Sequence, residues 1–372
     1  MLPAGLEDVL PAIAEREAAN PDTYPRETIR TLHDCGFIRS PLPADLGGTG
    51  CSLRDAVRAT EALARHSGSA ALITSMPLGL AGVIAATDAV APPRHRVRWH
   101  EQRERLAAAY RACELYAACN SEKGAGGSLE ATKTVARRAN GRFFLTGEKI
   151  LASSGRYATH FFSTAKAVPD ELPGTGIVEF FLVPVGSPGV EVLDDWDGFG
   201  MHSTESQTVR YVDAPADDFL GFPDFINIVQ PLQYWYCLFA AIPLGCVGAI
   251  LQALGAPTPT SPALRVRLSE ALMRYEALRA YLLETADAWH PGAEPALRLR
   301  VLRTKTYVTQ EATKLAAELF ALSGGRHYRR TGAVARAFAD SFAGTALRPP
   351  LPLGLETLME NFSLGDVGGA DW

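Results

Sequence analysis

Apolar residues recur with helical spacing through most of the first 115 residues. Leu6, Val9, Leu10 and Ile13 form one stripe, ended by Asn20-Pro21. A second helix is predicted over about 26–35, stopping at Gly36, and residues 41–50 read as a turn-rich loop. Ser52 is placed to cap a helix running through Leu63, and Ser67-Gly68-Ser69 introduces a long apolar helix to about Ala86. Residues 90–105 break the pattern with Pro92-Pro93, His95, His100 and five arginines, which reads as a solvated linker.

The period then changes. β-rich runs at 132–138, 142–146 and 159–165 follow a loop carrying Gly124, Gly126 and Gly127, and Asn140-Gly141 between the first two is a strong hairpin signal. Further strands are predicted at 177–183, at 189–192 and at 208–213. From Phe225 the helical spacing returns. An apolar helix covers 228–254, and Ser261-Pro262 caps the next. Leu264, Leu268, Leu272, Tyr275, Leu278 and Leu282 stripe that helix. Leu297, Val301, Val308, Ala312, Leu315, Leu319 and Leu322 stripe another, so an antiparallel pair is expected around His290-Pro291-Gly292.

Composition narrows the classes. At 372 residues, 47% hydrophobic and 21% charged, the chain can bury a large core. Its formal net charge of −5 implies no general attraction to nucleic acid or to an anionic membrane. Six scattered cysteines without a C-x-x-C pair read as reduced thiols. No signal peptide is evident, and the apolar run 237–247 is too short to span a bilayer, so a cytoplasmic protein is expected. No metal, P-loop or G-x-S-x-G pattern occurs.

The run Ser121-Glu122-Lys123-Gly124-Ala125-Gly126-Gly127-Ser128 resembles the T-E-P-G-A-G-S-D loop of the acyl-CoA dehydrogenase superfamily. Lys133-Thr134, Asn140-Gly141 and Thr146-Gly147-Glu148-Lys149 follow in register with that family's pattern. Residues 41–50, 198–213, Pro243-Leu244-Gly245 and Ser323-Gly324-Gly325 resemble four further segments, in the family's order. The resemblance implies an α+β, mainly α architecture. It has an N-terminal helical domain (1–114), a middle antiparallel β-barrel (115–222) and a C-terminal bundle of the four-helix type (223–372). FAD, or FMN, would sit between barrel and bundle in a homodimer or homotetramer.

Carried over position by position, the resemblance places Cys119, Asn120, Ser121, Gly126, Leu151, Ala152 and Ser153 at the flavin. Gly324 and Gly325 would approach a neighbouring subunit's flavin, and Gly127 and Ser128 would meet the substrate. Ser121 and Ser153 keep the hydroxyl of the family's threonines as donors to the ring, and Leu151 stands where the family has tryptophan. The family's glutamate base has no counterpart, because Pro349 or Ala343 falls at its position, so no catalytic residue is assigned. The family's pyrophosphate segment is missing too, with Arg265 or Arg267 as substitutes. Glu356 and Glu360 read as solvated. His160, His202 and His327 lie nearest the motifs and read as surface or packing residues.

Three activities remain open. One is a flavin-dependent oxidoreductase acting on an acyl thioester of CoA or a carrier protein, with the usual base lost. Another is a two-component monooxygenase using O2 and reduced flavin from a separate reductase. The third is a catalytically silent subunit.

Overall fold

The structure is a computed structural model and describes residue 3 and residues 5–167 and 178–362. The N-terminal helices are α1 (Leu6–Ala19), α2 (Arg26–Asp34), α3 (Leu53–Ala64), α4 (Gly68–Thr87) and α5 (Arg96–Arg111). Ser52 and Ser67 accept the Asp55 and Ala70 N–H groups and so cap α3 and α4, as expected. Helix α5 replaces the expected linker. It buries Trp99, Leu106 and Tyr110 on one face, where Arg103 pairs with Asp88, while Arg98 and Arg105 on its flank pair with Asp218. The density of charge had hidden the helical spacing of those three apolar residues.

The middle strands are β1 (Tyr116–Ala118), β2 (Val135–Ala139), β3 (Arg142–Ala152), β4 (His160–Ala167), β5 (Val178–Pro184), β6 (Val190–Val192), β7 (Gln207–Ala216) and β8 (Asp218–Phe219). Asn140 and Gly141 both take positive φ and turn β2 directly into β3, pairing Ala139 with Arg142. Gly147 does not end a strand as its punctuation suggested. It sits at a register shift within β3, where a Cβ would lie 2.4 Å from Thr134 Oγ1. Ile177 of the predicted fourth run lies outside the described residues.

The strands form one sheet in the order β6-β7-β3-β2-β4-β5-β8, with β1 added on β4. Two expectations are corrected here. The sheet is mixed, since β1 and β2 both run parallel to β4. It is also not closed into a barrel, because the end strands β6 and β8 have only three and two residues and do not pair with each other.

Period-two alternation gives the sheet two destinations. Phe161, Phe181 and Val183 enter its own small core, whereas Phe162, Phe180 and Leu182 join the large helical core. The second set of helices comprises α6 (Phe225–Val229), α7 (Leu232–Gly255), α8 (Pro262–Ala288), α9 (Pro295–Leu322), α10 (Ala333–Ser341), α11 (Ala343–Ala346) and α12 (Leu351–Glu360). The single helix expected over 228–254 is split at Gln230, whose φ is +52°.

Helix α7 is the hub, packed on α3, α4, α8, α9 and α10. Gly79 and Gly82 of α4 make room for it, because a Cβ there would lie 2.1 Å from Trp235 and 2.0 Å from Tyr234. Trp235 Nε1 donates to the Met76 carbonyl at 3.2 Å, which fixes its ring over Phe162 with centroids 5.5 Å apart. Helices α4 and α7 are long and apolar enough to cross a membrane by length and composition, but both lie mostly buried in this core.

Candidate active site

The helix-facing side of the sheet, the loop before β7, α4, α7 and the α10–α11 segment enclose a chamber of about 250 Å³. Phe162, Phe180, Trp235, Phe239 and Phe342 give it aromatic walls. Its polar atoms concentrate on the sheet side, at Asn120, Ser121, Ser153 and Ser206. Among the described residues lining the chamber there is no Asp, Glu, His or Lys, and Arg348 is the one charged side chain.

The glycine-rich loop is held from beneath. Glu122 and Lys149 form an ion pair with side chains 3% and 0% exposed and an N–O distance of 2.6 Å. Glu122 also accepts the Lys133 N–H at 2.6 Å, the Thr134 N–H at 3.0 Å and the Thr134 hydroxyl at 2.7 Å. Lys149 donates in addition to Thr164 Oγ1. Burial alone would raise the Glu122 pKa, but the Lys149 ammonium and the Thr134 donors outweigh it and hold the carboxylate below its ordinary range. This network sits one residue from Ser121, whose carbonyl accepts the Ile150 N–H at 2.9 Å. The loop edge is thereby joined to the end of β3.

A chain of buried hydroxyls follows. Thr204 Oγ1 donates its one hydrogen to the Met201 carbonyl, so Ser206 must donate to Thr204 and Ser153 to Ser206, at 2.7 and 2.9 Å. Ser153 therefore presents a hydrogen-bond acceptor to the chamber, not the donor the sequence suggested. Leu151, next to it, lines the chamber 48% exposed with φ +59°. That is a strained conformation for a residue with a Cβ.

The sequence-derived residues divide into three groups. Asn120, Ser121, Leu151 and Ser153 meet on the chamber wall. Cys119 and Ala152 are buried in the sheet's own core, and Gly127 and Ser128 line an adjoining pocket. Gly126 takes φ +58° beside open space. Gly324 and Gly325 lie exposed at the end of α9, away from the chamber. Arg265 and Arg267 are exposed at the start of α8, and Arg267 pairs with Glu270.

Of the two positions offered for the missing base, Ala343 lines the chamber and Pro349 the adjoining pocket. Glu356 and Glu360 are exposed on α12. His160 stacks on Tyr116 and pairs with Glu114 and Asp217. None of His160, His202 and His327 lines the chamber.

Sequence reasoning gave no role to Lys305 or Arg348. Lys305 Nζ donates to the carbonyls of Gly344, Leu347 and Pro349 at 3.0, 2.8 and 2.6 Å, which pins the segment after α11. Arg348 on that segment reaches the Asn120 carbonyl at 3.1 Å. The signal available was its place beside the vacated base position.

An apolar chamber with hydroxyls and backbone groups along one edge suits a flat heteroaromatic ring whose rim carries both donors and acceptors, and the isoalloxazine of a flavin is such a ring. Ser153 and Ser121 would hold its rim, with Leu151 against its face.

Comparisons with known proteins identify the family. The models of the acyl-CoA dehydrogenase N-terminal, middle and C-terminal domains match residues 6–91, 117–214 and 250–347. An L-evernosamine nitrososynthase of Micromonospora sp. is 29% identical over 374 residues, covering 92% of this chain and 85% of that protein. An acyl-CoA dehydrogenase of Bacillus subtilis is 22% identical over 334 residues, covering 86% of this chain and 85% of that one. The solved structure of a KijD3 in complex with FMN and dTDP-3-amino-2,3,6-trideoxy-4-keto-3-methyl-D-glucose superimposes with a TM-score of 0.83 at 23% identity, over 96% of this chain and 91% of that chain. Motifs, architecture and these matches together place the chain in the acyl-CoA dehydrogenase family of flavin-dependent oxidoreductases.

Proposed function

We propose that this family member is a flavin-dependent monooxygenase that takes reduced FMN or FAD from a separate reductase. One observation carries the reading: among the described residues, the chamber wall holds no carboxylate and no imidazole. Dehydrogenation of an acyl thioester needs a base at the substrate's α-carbon, a contribution of roughly 10²–10⁴-fold in rate. Ala343 and Pro349 cannot supply one, and Glu356 and Glu360 face solvent.

When bound, a reduced flavin would supply the two electrons with which O2 places one oxygen atom in the substrate and releases the other as water. The chain's own residues prepare the space. Ser153 offers an acceptor, which pairs with a ring N–H, and reduction of a flavin adds one such N–H. Phe162, Phe180, Trp235 and Phe239 exclude water and offer flat surfaces to an apolar or aromatic substrate. The kinship with a nitrososynthase supports oxygen chemistry over β-oxidation.

The reading is tested by supplying reductase, flavin and heavy-isotope O2 to the purified protein with a panel of aromatic, amine and sulfur compounds. Mass spectrometry of the products is expected to show one oxygen atom gained from O2, only when the reductase is present. No incorporation across the panel overturns the proposal.

A further inference from the structure

The apolar chamber and the adjoining pocket of about 420 Å³ share three residues, Leu232, Tyr236 and Arg348. Arg348 Nη2 donates to the Asn120 carbonyl, but its Nε and Nη1 are buried without a hydrogen-bond partner. Three of its five N–H groups are thus desolvated and unmatched, a state that is costly unless a ligand completes it. Gln233, buried on the second pocket's wall, likewise has its amide oxygen closed off without a partner. A half-turn of that amide brings its NH2 to the same place, so Gln233 can donate as well. The second pocket adds Arg298 and the rim carboxylate Glu130, to which Ser128 donates, leaving one net positive charge with Arg348.

We infer that the junction of the two cavities is an anion subsite, in which Arg348 binds a carboxylate or phosphate group of the substrate while the apolar remainder occupies the chamber. Where the family places a proton-accepting carboxylate, this chain has an arginine one residue from the gapless position, a reversal of charge that selects for an anionic substrate. Lys305 makes the site rigid by fixing the carbonyls on either side of Arg348. The inference rests on the chamber being the reaction site, not on the oxygenase reading.

The test measures binding of phenyl phosphate, benzoate and neutral benzyl alcohol to the flavin-loaded protein, by calorimetry and by perturbation of the flavin spectrum. Wild type is expected to bind one or both anions about tenfold or more tighter than the alcohol, with affinity falling as salt is added. Arg348→Met should remove that preference and leave the alcohol's affinity within about twofold, while Arg348→Lys should keep part of it. The anion that retains preference identifies the group, carboxylate or phosphate. Equal binding of anions and alcohol by wild type overturns the inference, and needs no variant to fold. Undiminished anion binding by Arg348→Met also overturns it, as does a large loss of flavin affinity in that variant, which would assign Arg348 to the cofactor's own phosphate. Selective anion binding without oxygen incorporation would sink the monooxygenase and leave the subsite standing.

Discussion

Replacing Glu122 by alanine removes one partner of an ion pair whose side chains are 3% and 0% exposed. The variant strands the Lys149 ammonium with only Thr164 Oγ1, and frees the Lys133 and Thr134 N–H groups as well. Deleting one member of a buried pair costs about 3–5 kcal/mol, because the surviving charge stays desolvated. That is a large share of the roughly 5–15 kcal/mol that holds a domain folded. Guanidinium denaturation followed by tryptophan fluorescence should show this deficit for Glu122→Ala and for Lys149→Met. The double variant Glu122→Leu with Lys149→Met, which leaves no orphaned charge, should lose much less than the two single losses added. The fold lowers the Glu122 pKa from its ordinary 4.5, so its stabilisation is complete above that value and is lost as pH falls through the folded-state pKa. The gap between wild type and Glu122→Ala should therefore close in acid. A single-variant loss under about 1 kcal/mol, or additivity of the pair, would refute the reasoning.

Three further outcomes follow from other sites. Burial pushes the Asp340 carboxyl up from 3.8 to about 7 while its Oδ1 accepts the Met201 N–H, so the folded state holds a proton that the unfolded state has released between those values. Wild-type stability contributed by Asp340 thus falls as pH rises across that window, and Asp340→Asn should gain on wild type from pH 5 to 8; a constant gap refutes this. Ser153→Ala should weaken reduced flavin about tenfold and oxidised flavin less, read by equilibrium binding under anaerobic conditions, since under the proposed placement the acceptor it removes would serve a ring N–H. Equal losses would contradict that hydrogen-bond direction. Lys305→Met leaves three carbonyls without their donor and should cost about 3 kcal/mol in chemical denaturation, with a weakened anion preference; stability and binding unchanged from wild type would remove Lys305 as the anchor of that segment.

Much of the fold was legible because its signals are local. The serine caps at 52 and 67, the Asn140-Gly141 turn and most of the stripes of α8 and α9 depend on a few neighbouring residues, although Leu272 and Leu322 of those stripes are exposed. Helix α5 was not legible, because its arginines satisfy distant acids and swamp the spacing of Trp99, Leu106 and Tyr110. Nor was the parallel placement of β1 and β2 on β4, which depends on pairing between segments more than 25 residues apart in the chain. The site divides in the same way. Ser121, Leu151 and Ser153 could be found from the motifs around them. Ser153's role as acceptor could not, since it is set by Thr204 and Ser206 some fifty residues on. Arg348 acquires meaning only when Lys305 and Asn120, brought from other elements, bury its guanidinium between two cavities.

The central claim is that a flavin held here is not reduced by acyl thioesters, because among the described residues none on the chamber wall can take the α-proton. The most direct measurement is anaerobic titration of the flavin-loaded protein with acyl-CoAs from short to long chain, following the visible flavin band. The account predicts that the band keeps its full intensity at every chain length. Stoichiometric bleaching by any acyl-CoA would contradict it.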